Sequence, residues 1–125
     1  MASKPTQRSL AYLRKEGWMV CVVEKFLPAR GTMKFPRRID AFGFGDLLAC
    51  RSGMFHRDGV IHPTAQIALV QTTDASSFSK HKDKLVTLSE FHNWKAAGGI
   101  VVLHGWGKRG ARGKKKTWTL REEVL

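Results

Sequence analysis

The sequence predicts an α/β (α+β) fold: one domain with a central mixed β-sheet of about five strands flanked by helices. Three observations predict it. The 125 residues suffice for one compact domain and are too few for two. Hydrophobic residues make up 42% of them, enough for a core and too many for global disorder. Along the chain the periodicities come in the order helix, three strands, helix, two strands, and residues 65–73, AQIALVQTT, hold an apolar run without polar alternation. Such a run suits a strand buried on both faces.

The elements follow in order. Residues 6–16, TQRSLAYLRKE, place Leu10, Ala11 and Leu13 on one stripe of a first helix, with Gly17 as its C-cap; residues 1–5 before it are expected to be a short flexible terminus. Residues 18–27, WMVCVVEKFL, are β-branched and aromatic and predict the first strand. Two prolines, a glycine and several cations over 28–38 predict a solvated loop. Residues 39–51, IDAFGFGDLLACR, predict a second strand region in which Gly43 and Gly45 permit a bend or the close approach of another group. Residues 52–64 are a hairpin-type connection with its turn at Arg57-Asp58-Gly59; 65–73 is the third strand. After it the chain turns polar, with Ser76 or Ser77 as an N-cap, and then Leu85, Leu88, Phe91 and Trp94 recur at helical spacing until Gly98-Gly99. Residues 100–106 form another buried strand, 107–116 a cationic, glycine-rich loop, and 117–124 a last, alternating strand.

Charge narrows the function. Lys and Arg number 22 against 10 acids, a net charge of +12 with a pI near 10.3. A small domain so charged attracts polyanions and binds nucleic acid at least non-specifically. A membrane partner is not expected, because no run approaches the ~20 apolar residues of a span and no amphipathic helix has an aromatic, apolar face. The first residues lack the apolar core of a secretory signal. Cys21 and Cys50 read as buried thiols of an intracellular protein.

Asp46 opens one apolar run, and the next ends in Gln71-Thr72-Thr73-Asp74. Residues two apart on a strand share a face, so 71 and 73 can converge on an Asp at the start of a neighbouring strand. Oxygen ligands in that pattern suit a hard cation. The pieces GDLLA, IALVQTT and FHNWKAAGGIVVL, in this layout, resemble the PD-(D/E)XK nuclease superfamily, and within it the archaeal Holliday-junction resolvases and the small phage and restriction-type nucleases.

The resemblance implies a restriction-endonuclease-like domain and Mg²⁺- or Mn²⁺-dependent hydrolysis of DNA phosphodiesters by an endonuclease or resolvase, in a homodimer. It puts Asp46 in the metal-Asp position, Gln71 in the position of the acid and Thr73 in that of the lysine, so the motif reads D…QxT. The metal set is then Asp46, Gln71 and the Thr72 carbonyl. Thr73, Lys80 or Lys82 would orient water or the scissile phosphate, since lysines migrate in some members. Glu24, Asp40 or Asp74 would replace the missing carboxylate. Resolvases carry a further Glu ligand on the first helix, where the nearest polar residue here is Gln7. The alternative is a non-catalytic nucleic-acid-binding module on the same fold.

Further along, GWGKRGARGKKKTW interleaves glycines and cations with Trp106 and Trp118. It predicts a phosphate-contacting loop, with Lys108, Arg109, Arg112, Lys114, Lys115 and Lys116 as nucleic-acid-binding residues. Zinc is not expected: Cys50, His56 and His62 lack a fourth ligand and a paired spacing. No serine or cysteine is spaced with a histidine as a nucleophile would require.

Overall fold

In a computed structural model the described residues are all but residue 1, residues 32–34 and residue 36; of residues 54–57 and 61–63 only the backbone is described. Helix α1 spans Lys4–Lys15, followed by strands β1 (Met19–Val22), β2 (Lys25–Leu27), β3 (Arg37–Ile39), β4 (Leu47–Arg57) and β5 (Val60–Asp74). Helices α2 (Phe78–Leu85) and α3 (Ser89–Ala96) come next, then β6 (Ile100–Arg109) and β7 (Thr117–Val124). Five strands form one mixed sheet in the order β1-β4-β5-β6-β7; β2 and β3 form a separate two-stranded hairpin. The expected fold class is therefore the observed one.

Within the main sheet β5 and β6 are parallel and the other neighbours antiparallel. From residue 68 to residue 73 β5 is buried on both faces, which accounts for the missing alternation there, while Ala65 and Ile67 are exposed. On one face Leu13 of α1 packs over Val20, Leu47, Ala49, Ala68, Val70 and Val102. On the other, Phe78, Leu85 and Phe91 of α2 and α3 pack with Phe44, Leu69, Val101 and Leu103. No helix among the described residues is long and apolar enough to cross a membrane.

Four local differences from the sequence expectation have physical causes. Helix α1 begins at Lys4, because Ser3 caps it: its Oγ accepts from the Thr6 N–H at 3.3 Å, and Pro5 suits the first turn. Residues 3–5, expected in a flexible terminus, thus belong to the cap and first turn. The expected first and second strands each break, at 23–24 and at 40–46; β2, the end of the first, pairs with β3, which extends from Ile39 back into the expected loop at Arg37 and Arg38. The 52–64 connection is strand nearly throughout, since Asp58 and Gly59 have φ of 52° and 75° and close a two-residue turn between Arg57 and Val60. Cys21 is exposed and Cys50 half-buried, because β1 is an edge strand covered mainly at Val20.

Candidate metal centre and nucleic-acid interface

The parallel direction of β5 and β6 gives the sheet a polar end. Asp46 precedes β4, Glu24 follows β1 by two residues, and Thr72 lies near the C-terminus of β5; the pairing Val22↔Leu47 and Leu47↔Val70 puts all three there. The N-terminus of α1 reaches the same end through Thr6 Oγ1 and Thr72 Oγ1, 2.8 Å apart. In open α/β sheets, ligands bind beyond the carboxyl ends of the strands.

The turn between β3 and β4 brings the acids together. Ala41 and Gly45 bridge, Phe42 and Gly43 adopt φ of 54° and 81°, and the Phe44 side chain anchors the turn in the core. A Cβ on Gly45 would lie 2.8 Å from Leu69 Cδ2, so this is the close approach the sequence suggested. Carboxylate oxygens of Glu24, Asp40 and Asp46 lie within 4.8 Å of one another. Asp46 is 6% exposed, Glu24 and Asp40 half-buried. Burial, reinforced by the neighbouring Asp40 and Glu24, outweighs the Thr72 hydrogen bond and pushes the Asp46 carboxyl up to about 9. Three carboxylates this close favour a shared proton or a cation.

A chain of hydroxyls converges on Asp46. Ser3 Oγ donates to Thr6 Oγ1 at 2.8 Å, and Thr72 Oγ1 and the Thr72 N–H donate to Asp46 Oδ2 at 3.2 and 2.7 Å. With Thr6 Oγ1 donating to Thr72 Oγ1, every hydroxyl is used once. The Ser3 N–H donates to Glu24 Oε1 at 3.3 Å, so the cap of α1 touches the network at both ends.

The predicted residues distribute as follows. Asp46, Glu24 and Asp40 meet; Asp74 is exposed at the end of β5 and outside their group. Gln71 and Thr73 are buried but share strand parity with Leu69, on the α2–α3 face, while Thr72 has the parity of Val70 and turns toward α1. Asp46 therefore engages Thr72, the residue between the two expected to converge on it. Gln71 Oε1 is buried without a hydrogen-bond partner among the described residues. It lies one register step beyond the Leu47–Val70 pair, across from Asp46. Lys80 is exposed, and Lys82 Nζ is bound to Glu123 Oε1 at 2.5 Å. Gln7 turns back to the Ala2 carbonyl at 2.7 Å.

His81, between those lysines, was not singled out by sequence. Its Nδ1 is buried and unpartnered among the described residues. Burial lowers its pKa, helped by Lys84 and Lys80 and opposed by Asp40 and Asp74.

The basic loop crosses the same end. Asp74 pairs with Trp106, so Lys108 and Arg109 lie on β6 beyond the end of β5, and the tip with Arg112, Lys114, Lys115 and Lys116 projects further. Trp118 on β7 is 46% exposed, with Arg8 of α1 3.5 Å and Lys108 5.3 Å from its ring centre. Trp106 is half-buried, and its Nε1–H donates to Ser9 Oγ at 2.8 Å. The Cys50, His56 and His62 trio falls partly outside the described side chains.

A serine–histidine–glutamate chain lies beside Thr72, whose register partner on β6 is His104. Ser9 Oγ is 2.8 Å from His104 Nδ1, and His104 Nε2 is 2.7 Å from Glu122 Oε2. Ser9 and His104 are fully buried, and Ser9 Oγ already accepts from Trp106. The trio is a polar clasp between α1, β6 and β7, with no path for a substrate carbonyl to reach Ser9.

No protein-family model, curated protein or solved structure matches the chain.

Proposed function

We propose that the protein is a metal-dependent nuclease of the PD-(D/E)XK type, an endonuclease or resolvase-like enzyme acting on DNA. The convergence of Glu24, Asp40 and Asp46 at the strand ends, beside a basic loop, carries the reading. The layout about the main sheet, one helix, three strands, the helices α2 and α3, then two strands, supports it. Three clustered carboxylates fit Mg²⁺ or Mn²⁺, which take oxygen ligands, and the orphaned Gln71 Oε1 offers a neutral oxygen nearby in register. The proposed ligand set is Asp46, Glu24 and Asp40, with the Thr72 carbonyl, which strand alternation turns toward β4.

When bound, the cation neutralises charge on a phosphoryl oxygen and acidifies a water. Thr72 holds the Asp46 carboxylate in place through two donors. The hydroxyl chain from Ser3 keeps that carboxylate oriented and denies Oδ2 other partners. Cations of the 107–116 loop hold the DNA backbone across the sheet end. An intracellular setting, with free Cys21 and Cys50, and a homodimer accompany this reading.

The test is cleavage of duplex, single-stranded and branched DNA with each metal. Asp46→Asn should lower the rate by on the order of 10²–10³-fold and leave DNA binding intact or stronger. Absence of cleavage by wild type with either metal sinks the enzymatic reading. One observation favours a second reading, a non-catalytic DNA-binding module: Thr73 stands where the resemblance wants a lysine, and Lys82 is engaged by Glu123. Wild type that binds DNA and Mn²⁺ without cleaving it would establish that reading instead.

A further inference from the structure

Residues 25–27, the end of the expected first strand, and residues 37–39, which span the end of the expected 28–38 loop, pair as a hairpin with an unusual root. Lys25 pairs with Ile39, Phe26 with Arg38 and Leu27 with Arg37. One step outward in that register are Glu24 and Asp40, two of the three clustered acids. The hairpin thus springs directly from the candidate metal centre. Between residues 25 and 39 there are five cations, Lys25, Arg30, Lys34, Arg37 and Arg38, and no acid.

Its strands bury little. Lys25, Arg37 and Arg38 are exposed, Phe26 is 52% and Ile39 41% exposed, and Leu27 alone of the strand residues is half-buried. A two-stranded hairpin standing by itself is marginal in water, and core packing does not explain an exposed aromatic across from an arginine. A ring and a guanidinium sharing one face of the ribbon suit a base and its phosphate. With the 107–116 loop, which adds six cations, the sheet end carries an arm on either side of its acids.

We propose that the β2–β3 hairpin is a second nucleic-acid-binding arm, in which Lys25, Arg37 and Arg38 take backbone phosphates and Phe26 stacks on a base. Rooted in Glu24 and Asp40, it delivers the backbone to the acidic centre. The proposal rests on the reading that the partner is nucleic acid, and needs no cleavage to test.

Binding of a fluorescent single-stranded 20-mer and of its duplex is measured by anisotropy across a salt series in EDTA. Arg37→Ala with Arg38→Ala should flatten the log–log salt slope by about 1.4–1.8, at ~0.7 per contact for single strands and ~0.9 for duplex. Arg37→Lys with Arg38→Lys should restore the slope, which loss of fold would not allow. Phe26→Ala should weaken the single strand by roughly 5–100-fold and the duplex far less. Wild-type binding with an unchanged slope in the alanine pair overturns the arm alone. Wild type that binds neither probe overturns the nucleic-acid reading, and the arm with it.

Discussion

Two buried titratable side chains respond to pH in opposite directions. Asp46 is held protonated by burial, its carboxyl raised from 3.8 to about 9. The unfolded chain releases that proton above its ordinary carboxylate value, so this contribution to stability is complete below about pH 4 and is lost as pH rises toward 9. Asp46→Asn removes the loss while keeping an acceptor for the Thr72 N–H. The variant should gain on wild type as pH rises from 5 to 8, by on the order of 1 kcal/mol or more, about 4 °C in Tm for this chain length. Thermal melts in EDTA at both pH values check it; equal differences at the two would contradict the burial argument. Mn²⁺ should reverse the order at pH 8, stabilising wild type and not the variant, because the cation needs the deprotonated carboxylates. His104 behaves conversely: burial lowers its pKa against the pull of Glu122. Its neutral ring is favoured above the ordinary histidine value near 6.5, and stability is lost as pH falls below it toward the lowered one.

At the scale of elements, the β3–β4 turn and the β6–β7 tip carry separable duties. Gly45→Ala puts a Cβ 2.8 Å from Leu69 Cδ2 and 3.2 Å from the Ala41 carbonyl. It should cost about 1–3 kcal/mol, measured by urea denaturation, and weaken Mn²⁺ binding by separating Asp40 from Asp46. Replacing Lys114, Lys115 and Lys116 by Ala should flatten the DNA-binding salt slope by up to about 3 units and leave stability unchanged; an unchanged slope would remove the tip from the phosphates. Much of this scale was legible in the sequence. Periodicity placed both central strands and α1, and Gly43 and Gly45 announced a close approach. Asp46 was evident, and Glu24 and Asp40 stood as reserve acids. Thr72 stood only as a carbonyl ligand, and neither its donors to Asp46 nor Thr6 was foreseen, because parity made 71 and 73 the natural side-chain partners of Asp46. The carboxylate lies where the β4–β5 ladder ends, and a backbone N–H decides its direction there. The pairing of β2 with β3 was hidden by the prolines and cations of 28–38, which read as loop.

For the molecule as a whole, the Ser9–His104–Glu122 clasp joins residues 95 positions apart, Ser9 and His104, and its last member is Glu122 of β7. Ser9→Ala would leave the Trp106 N–H and His104 Nδ1 without their shared partner, a loss of about 1–3 kcal/mol visible in chemical denaturation. The separation also has a temporal meaning. During synthesis the hydroxyl chain from Ser3 to Asp46 can close once residue 72 has left the ribosome, whereas α1 cannot lock onto β6 and β7 until residue 122 has followed, 50 positions later. Contacts so distant in sequence form late and slowly. The sheet end that holds the acids can thus assemble first, with α1 as a loosely docked flap that β7 fastens. Ser9→Ala should accordingly speed unfolding and leave the folding rate nearly unchanged, a split that stopped-flow chevrons resolve; slowed folding would put the clasp early instead.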